Sequence, residues 1–106
     1  MLCKRRNYRN MQAGEITSEE LKNKVAKGAI LLDVRSEQEY KEGHLQGAIN
    51  IPDFEITKRV QKEIPKKNQQ IVLYCQYGGR SQKAMKTMRN MGYTNVYNLH
   101  GGLDML

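Results

Sequence analysis

The fold of this 106-residue chain follows from residues 71–81, which read IVLYCQYGGRS. Residues 71–74 are apolar without interruption, as in a buried strand, and the two glycines permit the positive φ of a tight turn. Beyond Ser81, alanine and methionine recur at helical spacing over the next ten residues. The pattern therefore predicts a strand that delivers Cys75 to a glycine-rich turn, which in turn opens a helix.

Cys75 is the candidate nucleophile of this turn. A thiol reacts as its thiolate, which nearby cations and a helix N-terminus both stabilise. Arg80 supplies a permanent cation, Ser81 stands where a helix N-cap is expected, and the turn N–H groups can form an anion-binding nest. A cysteine that ends a strand is ordinarily inert and buried, but this setting favours catalysis or thiol-dependent binding. The predicted active-site loop consists of Gln76, Tyr77, Gly78, Gly79, Arg80 and Ser81.

The loop resembles the active-site loop of the rhodanese family of sulfurtransferases, whose pattern is Cys, two variable residues, Gly, a variable residue, Arg and Ser. Cys75, Gly78, Arg80 and Ser81 match in register. The similarity covers nearly everything from Glu15 to Leu106, and its further motifs are residues 32–35, 42–52, 92–99 and 101–102. The resemblance implies a Cys75 persulfide that passes sulfur from a donor such as thiosulfate or a persulfide to a thiol or cyanide acceptor.

One departure from the family and one pair of variable positions qualify the resemblance. Leu106 stands where single-domain rhodaneses commonly carry Trp, so we expect the last helical turn to dock loosely. Gln76 and Tyr77 occupy the variable positions that line the pocket, and a phenol beside the sulfur leaves the choice of substrate open.

Alternating strands and helices predict a single α/β domain, with roughly five parallel strands and helices on both faces of the sheet. Two helices begin at capping boxes, which start with Thr17 and Ser36. A third helix is indicated by an isoleucine or valine at every fourth position from Ile56 to Ile64. We assign residues 14–106 to the rhodanese-like domain and residues 1–13 to a basic N-terminal arm.

Supporting residues are expected at the carboxyl edge of the sheet, where Asp33, Cys75 and His100 each follow a predicted strand. Asp33 and Arg35 either shape the pocket or brace the loops as an ion pair. We favour bracing, because an unpaired carboxylate beside the sulfur would oppose thiolate formation. His44 is read as a hydrogen-bonding residue and not a general base, since sulfur transfer between thiolates needs no strong base.

Composition excludes several other functions. The net charge of +7 is dispersed along the chain without interleaved aromatic residues, so we expect no specific nucleic-acid binding. No apolar run has the length of a membrane span. Cys3 and Cys75 have no metal-ligand spacing and are read as reduced thiols, which predicts a cytoplasmic protein without a metal or other cofactor. The expected partners are the small sulfur donor and acceptor, with a protein acceptor as a further option; the sequence leaves the oligomeric state open.

Two alternatives to a small-molecule sulfurtransferase follow from the same loop. Phosphatases and arsenate reductases of related fold also place Cys and Arg around an anion, but they need five residues between them, and only four separate Cys75 from Arg80. A persulfide carrier or regulatory binding module, which receives sulfur from a partner protein without turning over a small molecule, is the second alternative.

Overall fold

The structure, a computed structural model, describes residues 11–106 of the chain. Its five strands form one sheet in the order β1-β5-β4-β2-β3, and every neighbouring pair is parallel. The strands are β1 (Glu15–Ile16), β2 (Ile30–Asp33), β3 (Ile49–Asn50), β4 (Ile71–Tyr74) and β5 (Val96–Leu99). The predicted five-stranded parallel sheet is therefore confirmed, whereas Cys3 and residues 1–10 of the expected arm lie outside the described residues.

Within residues 11–106, four helices connect the strands: α1 (Ser18–Ala26), α2 (Glu37–Glu42), α3 (Ile56–Glu63) and α4 (Gly79–Asn90). Two 3₁₀ turns, Asp53–Glu55 and Gly102–Met105, precede α3 and follow β5. The first of these turns was not expected from the sequence. The stripe that predicted α3 does face the interior, since Ile56, Val60 and Ile64 are all buried.

Both predicted capping boxes are present. The Thr17 hydroxyl accepts a hydrogen bond from the Glu20 backbone N–H at 3.2 Å, and the Glu20 carboxylate accepts from the Thr17 N–H at 2.9 Å. Ser36 and Glu39 repeat this exchange at 3.2 and 3.1 Å. Each box satisfies N–H groups that a helix leaves unpaired, and so fixes where α1 and α2 begin.

The sheet is covered on both faces, and alternate residues of its strands belong to different apolar clusters. In β4, Ile71 and Leu73 pack with α3 and α4, whereas Val72 and Tyr74 pack in the second cluster, which includes Leu21 of α1. All four β4 residues are fully buried. Cys75, the next residue, belongs to the cluster beneath α3 and α4. The central strand thus delivers the cysteine into the buried core of the fold.

Candidate active site

The sulfur of Cys75 lies inside the turn that links β4 to α4. The Cys75 residue is 1% exposed. The Gly78 backbone N–H donates to Cys75 Sγ at 3.1 Å, and the Ser81 hydroxyl oxygen lies 3.3 Å from the same sulfur. Donors in these positions stabilise an anionic sulfur, because hydrogen bonds to a charged acceptor are stronger than those between neutral groups.

The two glycines of the turn have different roles. Gly78 has φ +101°, and a Cβ built there would lie 3.2 Å from the Gly101 backbone nitrogen. A side chain would therefore be strained in its backbone and crowded by the neighbouring turn. Gly79 has a helical conformation with open space where its Cβ would lie. The close approach of backbone to sulfur thus requires glycine at position 78 and not at position 79.

The expectation that Ser81 is the N-cap of the helix is wrong. Helix α4 begins at Gly79, its N-cap is Gly78, and Ser81 is the third helical residue. The left-handed conformation of Gly78 turns the chain directly into the helix, so that the Gly78 carbonyl accepts the first helical hydrogen bond from the Gln82 N–H at 3.0 Å. Ser81 is fully buried and is free to face the sulfur.

Arg80, the cation expected near the sulfur, also has a carboxylate partner. Its guanidinium forms a two-pronged ion pair with Glu39 of α2, with N–O distances of 2.7 and 3.0 Å. Hydrogen bonding to Glu39 raises the pKa of Arg80, and a smaller favourable interaction with Cys75 acts in the same direction. The same hydrogen bond lowers the pKa of Glu39 to about 2. Most of the cation is therefore balanced by Glu39, and the pair ties the loop to α2.

The C-terminal turn closes the loop from the other side. The Leu103 N–H donates to the Cys75 carbonyl and the Asp104 N–H to the Gln76 carbonyl, both at 2.9 Å. Gly102 packs so tightly that a Cβ there would overlap the Cys75 carbonyl oxygen and lie 2.7 Å from Gln76 backbone atoms. The loose docking expected from Leu106 is therefore wrong, because backbone hydrogen bonds hold the turn independently of the last side chain, which is 57% exposed.

Asp33 and Arg35 have the geometry of a brace. Asp33 is fully buried, and its carboxylate accepts from the Arg35 backbone N–H at 2.9 Å and from its guanidinium at 2.7 Å. The guanidinium also donates to the Gly43 carbonyl at 2.6 Å, where α2 ends. Hydrogen bonding to Asp33 is the main cause that raises the pKa of Arg35. This pair joins the end of β2 to the segment beyond α2.

The two histidines engage neighbours of their own. His44 is exposed, its ring stacks on Tyr40 with 3.8 Å between centroids, and its Nδ1 lies 2.8 Å from the Tyr40 carbonyl oxygen. His100 Nδ1 lies 3.1 Å from a carboxylate oxygen of Glu15. Neither of these two contacts involves Cys75.

Sequence reasoning missed two residues around the loop, Glu39 and Asn98. Glu39 was recognised only as part of a capping box, although its carboxylate also holds Arg80. Asn98 is fully buried in β5, and its amide nitrogen lies 3.2 Å from the Gly78 carbonyl oxygen. The available signal was a polar amide inside the short strand Val96–Leu99.

Two other kinds of site find no support in residues 11–106. No three His, Cys, Asp or Glu side chains there form a group that could hold a metal ion. None of the described helices has the length and apolar character to cross a membrane.

Comparison with known proteins gives one consistent answer. The profile of the family described as Rhodanese-like domain matches residues 17–105. The chain is 40% identical over 74 residues to thiosulfate sulfurtransferase PspE of Escherichia coli, covering 70% of this chain and 71% of that protein. Its structure is similar to that of the human single-domain sulfurtransferase TSTD1, with a TM-score of 0.80 and 32% identity over 89% of this chain and 95% of the other.

A third similarity concerns anions. A solved structure titled as a rhodanese with anions from Escherichia coli matches with a TM-score of 0.68 and 38% identity, covering 74% of this chain and 92% of that chain. The family resemblance and the sulfurtransferase activity inferred from the sequence are supported by these relatives.

Proposed function

Because the chain belongs to the rhodanese-like domain family, we propose that it is a sulfurtransferase that carries the transferred sulfur on Cys75. One observation supports this assignment most directly: Cys75 Sγ receives the Gly78 N–H at 3.1 Å and faces the Ser81 hydroxyl at 3.3 Å. These donors suit Cys75 as a thiolate, which is the nucleophile of the first step and the leaving group of the second.

The reaction takes two displacement steps. The Cys75 thiolate attacks the outer sulfur of thiosulfate, a new S–S bond forms, and the original S–S bond breaks as sulfite leaves with the electron pair. A thiolate or cyanide then attacks the outer sulfur of the Cys75 persulfide, and Cys75 leaves as the thiolate. Sulfur is transferred without net oxidation of the enzyme, so the cycle needs no external oxidant or reductant.

The loop residues divide this work. Gly78 and Ser81 donate hydrogen bonds to the anionic sulfur, and the ion pair of Arg80 with Glu39 positions the turn that carries them. Tyr77 is 71% exposed at the rim of the turn, where it can contact the donor or the acceptor. Only four residues separate Cys75 from Arg80. A loop of this length speaks against a phosphatase or arsenate reductase, because the oxyanion that those enzymes surround is larger than one sulfur atom.

The test is turnover with a small donor and a small acceptor. We expect the protein to form thiocyanate repeatedly from thiosulfate and cyanide, and mass spectrometry to find one added sulfur on the peptide that contains Cys75. Cys75→Ser should abolish both signals, and the matched control Cys3→Ser should leave them unchanged. Sulfur uptake without turnover would instead favour a persulfide carrier, and full activity of Cys75→Ser would refute the proposal.

Several finer predictions accompany this function. A persulfide can replace thiosulfate as the sulfur donor, and a protein thiol can replace the small acceptor. No specific nucleic acid takes part. The cytoplasmic location and the boundary between the basic arm (1–13) and the domain (14–106) also stay predictions. Cell fractionation tests the location, and limited proteolysis tests the boundary.

A further inference from the structure

We infer that Asn98 is a positioning residue for sulfur transfer. Its amide donates a hydrogen bond to the Gly78 carbonyl, so that the Ser81 hydroxyl donates its own hydrogen bond to the sulfur of Cys75. The inference rests on the proposed function and deepens it. It assigns to β5 a part in the chemistry of a loop that lies 20 residues earlier in the chain.

The Ser81 hydroxyl has one proton and two acceptors within reach. Its oxygen lies 3.3 Å from Cys75 Sγ and 3.2 Å from the Gly78 carbonyl oxygen. A hydroxyl donates one hydrogen bond, so only one of these acceptors receives it at a time. The reactivity of the Cys75 sulfur therefore depends on which of the two acceptors receives the Ser81 hydrogen bond.

Two other donors compete for the Gly78 carbonyl. The Gln82 backbone N–H donates to it at 3.0 Å, and the Asn98 Nδ2 group donates at 3.2 Å. A carbonyl oxygen has two lone pairs, which these two donors fill. The Ser81 proton is therefore directed toward Cys75. Without Asn98 the carbonyl would regain a lone pair and compete for that proton.

The orientation of the Asn98 amide is fixed by its surroundings. Its Nδ2 faces three oxygen acceptors, on Gly78 at 3.2 Å, on Gln82 at 3.0 Å and on Glu15 at 3.4 Å. Turning the amide over would place its own oxygen against those three oxygens. Within the described residues its Oδ1 is buried without a hydrogen-bond partner. Burying such an atom is unfavourable, which indicates that Asn98 is not present for packing alone.

Asn98 also holds the conformation of Gly78 from the opposite side of the residue. The Gly78 N–H points at the sulfur while the Gly78 carbonyl points at Asn98. Because both groups belong to one residue with φ +101°, anchoring the carbonyl restrains the direction of the N–H. Asn98 thus supports both donors to Cys75 without touching the sulfur.

The experiment is a double-mutant cycle with Asn98→Ala and Ser81→Ala. The matched control is Asn95→Ala, whose amide contacts the Asn68 carbonyl at 3.4 Å just before β5 begins, at the end of the strand away from the loop. We would measure kcat and KM for thiosulfate and the rate at which iodoacetamide modifies Cys75. The kcat and the modification rate would each be divided by the fraction of Cys75 that iodoacetamide has modified when its reaction is complete.

Each single variant of the cycle should lower kcat and the alkylation rate about tenfold, as expected for a hydrogen bond to a charged group, with KM changed less than about twofold. The double variant should lose about 10- to 20-fold and not 100-fold, because both substitutions remove the same donated proton. Asn95→Ala should behave as the unaltered protein. Additive losses, or a normal rate per reactive Cys75 in Asn98→Ala, would overturn the inference.

A second measurement needs no variant and decides the matter if Asn98→Ala does not fold. In the unaltered protein, converting Cys75 to its persulfide should shift the NMR signals of the Gly78 N–H and the Asn98 side-chain NH₂, while the Asn95 NH₂ signal stays in place. Unchanged Asn98 signals would refute the inference. If the protein transfers no sulfur, the proposed function fails, whereas the alkylation rates of the variants still determine whether Asn98 positions the donors.

Discussion

The arginine–carboxylate pairs Asp33–Arg35 and Glu39–Arg80 differ mainly in burial. Arg35 and Asp33 meet at 2.7 Å with side chains 6% and 0% exposed. Arg80 and Glu39 meet at the same distance with side chains 39% and 34% exposed. From this difference we infer that the buried pair serves the fold and that the more exposed pair serves the placement of the loop.

The reason is the cost of removing charge from water. Breaking a buried pair leaves an uncompensated charge, which costs about 3–5 kcal/mol. Breaking a partly exposed pair costs about 1 kcal/mol or less, because water replaces the lost partner. The Asp33–Arg35 pair is therefore part of the framework. The Glu39–Arg80 pair can be changed with little loss of stability, so its contribution should appear mainly in the position of the loop.

The largest expected effect is that of Asp33→Asn. The substitution keeps the shape of the side chain but leaves the Arg35 cation without its counter-charge, and should lower the free energy of unfolding by about 3–5 kcal/mol. Chemical denaturation measures this loss. The double variant Asp33→Asn with Arg35→Met removes the stranded charge and should lose less than the single variant. A loss below about 1 kcal/mol in Asp33→Asn would contradict the framework role.

A smaller effect is expected from Glu39→Gln. Stability should fall by about 1 kcal/mol or less, whereas kcat for sulfur transfer should fall about threefold to tenfold because Arg80 and the turn are no longer held against α2. The control is Glu37→Gln in the same helix, since the Glu37–Lys41 pair is exposed and 3.3 Å long. If both variants had the same activity, the ion pair would have no part in positioning the loop.

The smallest expected effect is a change in the stability contribution of Glu39 at low pH. Glu39 has a folded-state pKa of about 2 against its usual value of 4.5. Its pKa is lowered in the folded state, so its contribution to stability is complete above about pH 4.5 and is lost as pH falls through about 2. The difference in unfolding free energy between the unaltered protein and Glu39→Gln should therefore shrink over this window. A difference that stays constant from pH 5 to pH 2 would show that Glu39 is not selectively stabilised as the anion.

Local patterns were enough to predict most of the fold. The capping boxes at Thr17 and Ser36 and the apolar run of β4 depend on neighbours within four residues, so the sequence alone reveals them. Predicting Ser81 as a cap was a local inference that failed, because the left-handed backbone of Gly78 already starts the helix.

The rest of the site depends on contacts between distant parts of the chain. Glu39 and Arg80 are 41 positions apart, and no periodicity pairs them. The role of Asn98 becomes visible only in the folded sheet, where the pairing of β5 with β4 brings its amide to Gly78. The C-terminal turn binds the loop through backbone N–H groups, which every non-proline residue possesses, so side-chain patterns carry no information about it.

The strand order has a further consequence for how the molecule comes into being. Among residues 11–106, the first strand pairs only with the fifth, which inserts between β1 and β4 in the order β1-β5-β4-β2-β3. During synthesis, Cys75 emerges before Asn98 and before the turn at Gly102–Met105 that binds its carbonyl. Such long-range parallel pairing forms slowly. The loop around Cys75 therefore gains its contacts with Asn98 and with the C-terminal turn last, when β5 completes the sheet.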